Sequence, residues 1–86
     1  MQYQKGENMP HIVIKMKPGR SDSLKTEIAQ ALAQALVSSA GVPEKAVSVA
    51  IEEVEADDWM TKVYEPEIAG KADTLVRKPS YGSLAK

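Results

Sequence analysis

The sequence predicts a mixed α/β (α+β) domain: one strand–helix–strand unit followed by a helical segment. Three observations predict it. Residues 11–17 alternate between apolar and polar, as a half-buried strand does. Leu24, Ile28, Ala31, Leu32, Ala35 and Leu36 recur at helical spacing. Residues 46–53 then alternate again. A long helix between two strands makes the strands parallel and the crossover right-handed. Two strands do not stand alone in water, so the unit is expected to pair with a second copy. The expected assembly is a homodimer with a four-stranded sheet.

The first strand begins at Pro10, which has no N–H to give to a ladder and is tolerated at the first residue of a strand. Ile12, Ile14 and Met16 point one way and should pack on a helix; His11, Val13, Lys15 and Lys17 point the other. A lone strand histidine such as His11 reads as a surface or interface residue, with a ligand or base as the other reading. Pro18-Gly19 marks a turn, Ser21 is placed as the N-cap of the helix, and Asp22 favours its first turn. Arg20 sits just before that cap, where a long cation can reach back over the end of the strand or simply stay solvated. The helix is expected over 22–39, stopped by Gly41 and by Pro43 beyond it.

In the second strand Val47, Val49 and Ile51 line one face, and Ala46, Ser48, Ala50 and Glu52 line the other. The second face is small and lightly polar, suited to floor a shallow site. Glu52, Glu53, Glu55, Asp57 and Asp58 form an acidic run. A divalent metal or acid–base pair is one reading of it. The other is a solvated strand end, since neighbouring strand side chains such as Glu52 and Glu53 diverge to opposite faces. Residues 58–77 read as helix with a break at Glu65-Pro66, Pro66 opening a second helical piece, and Val63, Ile68, Ala72, Leu75 and Val76 as its apolar stripe. Trp59, the single tryptophan, reads by position as a core residue or a site residue.

Composition excludes several classes. With 86 residues the chain is one small domain, of a size that leans on disulfides, metal or association. It has no cysteine, hence no thiolate chemistry or disulfide, and one histidine, hence no histidine cluster. A net charge of −1 supplies no electrostatic drive towards nucleic acid. No apolar run approaches a membrane span and no signal-peptide core is present, so a cytoplasmic protein is expected.

Residues 1–9 are expected to be a leader or a mis-called extension, with the domain proper at 10–86. Residues 1–8 show neither helical nor strand periodicity. Lys5-Gly6-Glu7-Asn8-Met9 can be encoded by a purine-rich stretch ending in ATG, like a bacterial ribosome-binding site before its start codon. Two readings stand: Met9 is the true start and is clipped off to leave Pro10 with a free secondary amine, or residues 1–8 are a loose tail.

Pro10 with its alternating strand, Gly19-Arg20-Ser21-Asp22, Pro43 and Val47-Ser48-Val49 together resemble the 4-oxalocrotonate tautomerase family, ungapped over 10–54. Asp58-Trp59, Glu67-Ile68-Ala69, and Arg77-Lys78-Pro79 with Tyr81 resemble its longer, dimeric branch, which acts on enols of phenylpyruvate-like acids. The resemblance implies keto–enol tautomerisation of 2-hydroxy-2-enoates and 2-keto acids, with Pro10 as general base and no cofactor or metal. It implies that Arg20 binds the substrate carboxylate and that Trp59 walls the apolar end. Ser48 stands where well-known members carry a second arginine that polarises the far oxygen of the substrate. That departure fits the dimeric branch and favours a monocarboxylate with an apolar end.

The chemistry implied for Pro10 is that of an amine. A free α-amino group titrates near ~8, and a dry site with cations nearby lowers that value, leaving a neutral base. Two alternatives remain at this level: a catalytically silent dimeric binding module of the same fold, or a hydratase or dehalogenase using the same proline.

Overall fold

A computed structural model describes residues 9–85. The expected leader, apart from Met9, lies outside the described residues. The described chain divides after Glu53 into two compact units.

The first unit is strand–helix–strand. Strand β1 (His11–Met16) leads through a Pro-Gly turn into helix α1 (Asp22–Ala40), and β2 (Ser48–Glu53) follows. The helix ends are set by local chemistry. Ser21 Oγ accepts from Leu24 N at 3.1 Å, satisfying one of the orphan amides of the first turn. At the other end Gly41 turns left-handed, with φ 73°, and its N–H reaches Val37 O at 3.0 Å. The second strand starts at Ser48, two residues later than the alternation predicts, because Glu44–Ala46 closes a tight 3₁₀ turn first.

The strands pair in parallel, His11 opposite Ser48 through Met16 opposite Glu53. Residues paired this way point to the same side, so Ile12, Ile14 and Met16 share a face with Val49 and Ile51. Helix α1 covers this face. Asp22, Lys25, Thr26 and Ala29 border a groove floored by Val49 and Ile51, and Lys25 Nζ reaches Glu53 Oε2 at 3.1 Å. The covered stripe of α1 is Ile28, Ala29, Leu32, Ala33, Leu36 and Val37; Ala31 and Ala35, expected inside, are exposed. Helical spacing alone leaves the centre of such a stripe free by part of a turn, and the width of the sheet decides it.

This unit buries little. Among the described residues only Val42, Val63 and Tyr64 are buried, while Val13 stays 46% and Leu24 41% exposed. The second sheet face, with His11, Val13, Lys15, Ser48, Ala50 and Glu52, carries no helix of its own unit.

The second unit departs from expectation in its helix. Helix α2 (Met60–Ala69) runs straight through Pro66 and stops, where a break at 65–66 and continuation to 77 were expected. Its coil is the wide π type, closing with Gly70 N on Glu65 O at 2.8 Å. A proline in an α-helix clashes with the carbonyl four residues back; the wider turn relieves that contact. The stop has a steric cause as well. A Cβ on Gly70 would come within 2.6 Å of Glu65 O and 3.0 Å of Pro66 O, so only glycine closes the last turn. Beyond it, Ala72–Thr74 is a single 3₁₀ turn and Leu75 is extended. Val76, assigned from spacing to the apolar stripe, is fully exposed.

Tyr64, 2% exposed, organises the rest of this unit. Its hydroxyl accepts from Leu84 N at 2.9 Å and lies 3.2 Å from Ser83 Oγ. Its ring stands 5.2 Å from that of Tyr81, tilted by 44°. Among the described residues no helix is long and apolar enough to cross a membrane.

Candidate active site

Pro10 is half-buried at the head of β1, and its carbonyl accepts from Ser48 N at 3.2 Å. This bond sets Ser48 beside the start of the first strand. One step further, His11 faces Ser48 across the ladder, with Nδ1 2.7 Å from Oγ. Pro10, His11 and Ser48 thus form one polar corner at the N-terminal end of the sheet. Lys15 Nζ and Glu52 Oε1, 3.8 Å apart, occupy the same face farther along.

Arg20 is elsewhere. It is exposed in the turn after β1, and its Nη1 donates to Lys17 O at 3.2 Å. Pro10 precedes the six residues of β1 and Arg20 follows them. A strand of that length spans about 20 Å, at ~3.3 Å per residue. The fold therefore brings Ser48 to Pro10 within one chain and does not bring Arg20 there.

Trp59 belongs to the second unit. It is half-buried, at the entry to α2, and its indole N–H donates to Tyr81 Oη at 3.0 Å. Tyr81 in turn packs at a tilt against Tyr64, so the indole is held by a short aromatic chain anchored in the buried part of this unit.

The acidic run disperses. Glu52 pairs with Lys15, Glu53 with Lys25 and Asp58 with Lys62. The Glu53 hydrogen bond raises the Lys25 amine above its ordinary value, with the charges of Glu53 and Asp22 adding to it. No three potential metal ligands converge among the described residues. Sequence reasoning read His11 as a surface or interface residue, with a ligand or base as the other reading, and gave it no partner. Alternation assigns it a face, but only the inter-strand register reveals that Ser48 is its partner.

The sequence model of the family described as "Tautomerase enzyme" matches residues 10–64 of this chain, beginning at Pro10. The chain belongs to the tautomerase family. A "probable tautomerase" of Xylella fastidiosa is 46% identical over 77 residues, covering 90% of this chain and 94% of that protein. Tautomerase PptA of Cronobacter sakazakii is 42% identical over 74 residues, covering 85% and 97%. Among solved structures, TomN is described as a 4-oxalocrotonate tautomerase homologue in the tomaymycin biosynthetic pathway. It superposes with a TM-score of 0.57 at 32% identity, over 58% of this chain and 77% of its own. YwhB, another 4-oxalocrotonate tautomerase homologue, gives 0.54 at 31% identity over 56% and 79%. Membership of this tautomerase family supports an isomerase kind of function, and the strand–helix–strand unit is the tautomerase fold.

Proposed function

We propose that this tautomerase interconverts 2-hydroxy-2-enoates and 2-keto acids, phenylenolpyruvate and phenylpyruvate among them, with the amine of an amino-terminal Pro10 as general base. The observation that carries the reading is the position of Pro10, at the first residue of the family match and in the polar corner with Ser48. Residues 1–9 are then absent from the working enzyme, and the domain is 10–86. The Pro10 nitrogen takes the proton of the enol hydroxyl. The C2–O bond becomes a carbonyl, the C2=C3 pair collects a proton at C3, and the amine delivers it. No cofactor takes part, and the reaction runs in the cytoplasm.

Arg20 holds the substrate carboxylate through its planar fork. Because the length of β1 separates it from the proline of its own chain, the arginine at each Pro10 comes from another protomer. The active form is a homodimer whose two units join into a four-stranded sheet; a sheet of only two strands, each an edge, supports such pairing. Ser48 contacts the substrate without adding charge, which suits a monocarboxylate, and Trp59 covers its apolar end.

The test is covalent chemistry. Any residue left before Pro10 turns its nitrogen into a tertiary amide with no useful basicity. A protein initiated at Met9 and trimmed to Pro10 is expected to ketonise phenylenolpyruvate, with kcat/KM falling at acid pH as the amine protonates. Protein retaining residues 1–9, verified by intact mass, is expected to be inactive. Equal activity of the two forms would remove Pro10 as the base; inactivity of both would leave a silent binding module.

A further inference from the structure

We infer that His11 is a positioning residue that turns the Ser48 hydroxyl into a hydrogen-bond donor for the substrate's C2 oxygen; the inference deepens the tautomerase reading above and rests on it. Three observations meet at one corner. Ser48 N is bonded to Pro10 O at 3.2 Å, so the serine stands beside the proposed base. His11 and Ser48 are register partners on the sheet face that α1 leaves open. Their side chains approach to 2.7 Å, short for a nitrogen–oxygen hydrogen bond.

A serine hydroxyl has one proton and two lone pairs, and a neutral imidazole has one N–H and one bare nitrogen. Two arrangements satisfy the 2.7 Å contact. If His11 Nδ1 is bare, it accepts the serine proton, and Ser48 can offer a ligand only lone pairs. If Nδ1 carries the proton, it donates to Oγ, and the serine hydrogen is left pointing elsewhere. Only the second serves the chemistry. Removing the enol proton puts negative charge on the C2 oxygen, and a lone pair aimed there would oppose it. A donor held in place beforehand stabilises that charge without reorganisation. His11 donating through Nδ1 therefore makes Ser48 a neutral polarising group.

The experiment combines kinetics with the signal of the single imidazole. In chain trimmed to Pro10, His11→Phe and Ser48→Ala are each expected to lower kcat about tenfold, with KM changed less than about twofold, as for a lost charge-stabilising donor. The double variant should be no worse than either single one, because both remove the same device. His11→Asn, whose amide N–H takes the place of Nδ1–H, should recover most of the loss. Additive losses in the double variant, or full kcat in His11→Phe, would overturn the inference.

A second readout separates it from the proline assignment. In ¹⁵N-labelled protein the Nδ1 resonance of His11 should carry a proton and should shift when phenylpyruvate is titrated in. Ser48→Ala should abolish that shift. If the trimmed wild type proves inactive, the proline reading fails, and the resonance decides alone. A Ser48-dependent shift of a protonated Nδ1 upholds the pair, and a bare or unresponsive Nδ1 refutes it.

Discussion

If Arg20 serves the proline of another protomer, an inactive protein and a crippled one should together make an active one. The first partner keeps residues 1–9, so its Pro10 nitrogen is an amide while its Arg20 is intact. The second is trimmed to Pro10 and carries Arg20→Ala. The geometry behind the experiment is the six-residue β1 between Pro10 and Arg20. It spans about 20 Å, whereas an arginine side chain built from bonds of about 1.5 Å reaches roughly 7 Å from its Cα. Arg20 is also turned back onto Lys17 O at 3.2 Å, at the far end of that strand.

Losing a charge-assisted contact to a carboxylate is expected to cost about 2–4 kcal/mol of transition-state binding. At ~1.4 kcal/mol per tenfold this leaves Arg20→Ala with between roughly one thirtieth and one thousandth of wild-type kcat/KM. The other partner should contribute nothing. Unfolded together at equal concentration and refolded, half of the proline sites hold a free amine, and half of those face an intact arginine. Random mixing therefore restores about one quarter of the wild-type activity, whatever the size of a closed symmetric assembly. Phenylenolpyruvate ketonisation followed by absorbance reads this directly, with separately refolded partners as the baseline. If the arginine acted within its own chain, no mixed assembly would contain a complete site, and recovery no higher than the mean of the two parents would refute the argument.

Other consequences are checked more simply. Trp59→Ala should reduce kcat/KM for aryl enols by about 1–2 kcal/mol more than for short aliphatic ones, because lost apolar burial scales with covered area; equal losses on both would take Trp59 out of the site. Tyr64→Phe removes the oxygen that accepts from Leu84 N at 2.9 Å. It should destabilise by about 1–2 kcal/mol, lowering Tm by on the order of 5–10 °C at fixed protein concentration, and calorimetry checks it. Lys25 is held above its ordinary value of 10.5 by Glu53, so folding favours its charged form. The stabilisation is complete below that ordinary value and disappears as pH climbs through the raised one. The Tm gap between wild type and Lys25→Met should accordingly be constant around neutrality and close only above pH 10.5; a gap unaffected by strong alkali would mean that the amine's charge plays no part.

What the sequence determined by itself is local. The cap at Ser21 and the stop at Gly41 are decided by side chains and dihedrals within one turn, and helix α1 ends where they say, within a residue. Alternation identified both strands and the inner face of Ile12, Ile14, Met16, Val49 and Ile51, because the side-chain period of a strand is a property of its own backbone. Pro10, directly before β1 and first in the family match, was legible because a residue without a backbone N–H fits the head of a strand. Where two local signals conflicted, legibility ended. Proline predicted a break at 66, but the chain widened to a π coil and broke at Gly70, where backbone crowding left no space for a Cβ. The remaining decisions belong to the tertiary structure. Only the parallel register sets His11 against Ser48, since a shift by one residue would send either side chain to the opposite face. Only the folded path of the chain shows that Pro10 and Arg20, ten positions apart and joined by an extended strand, stand at opposite ends of it.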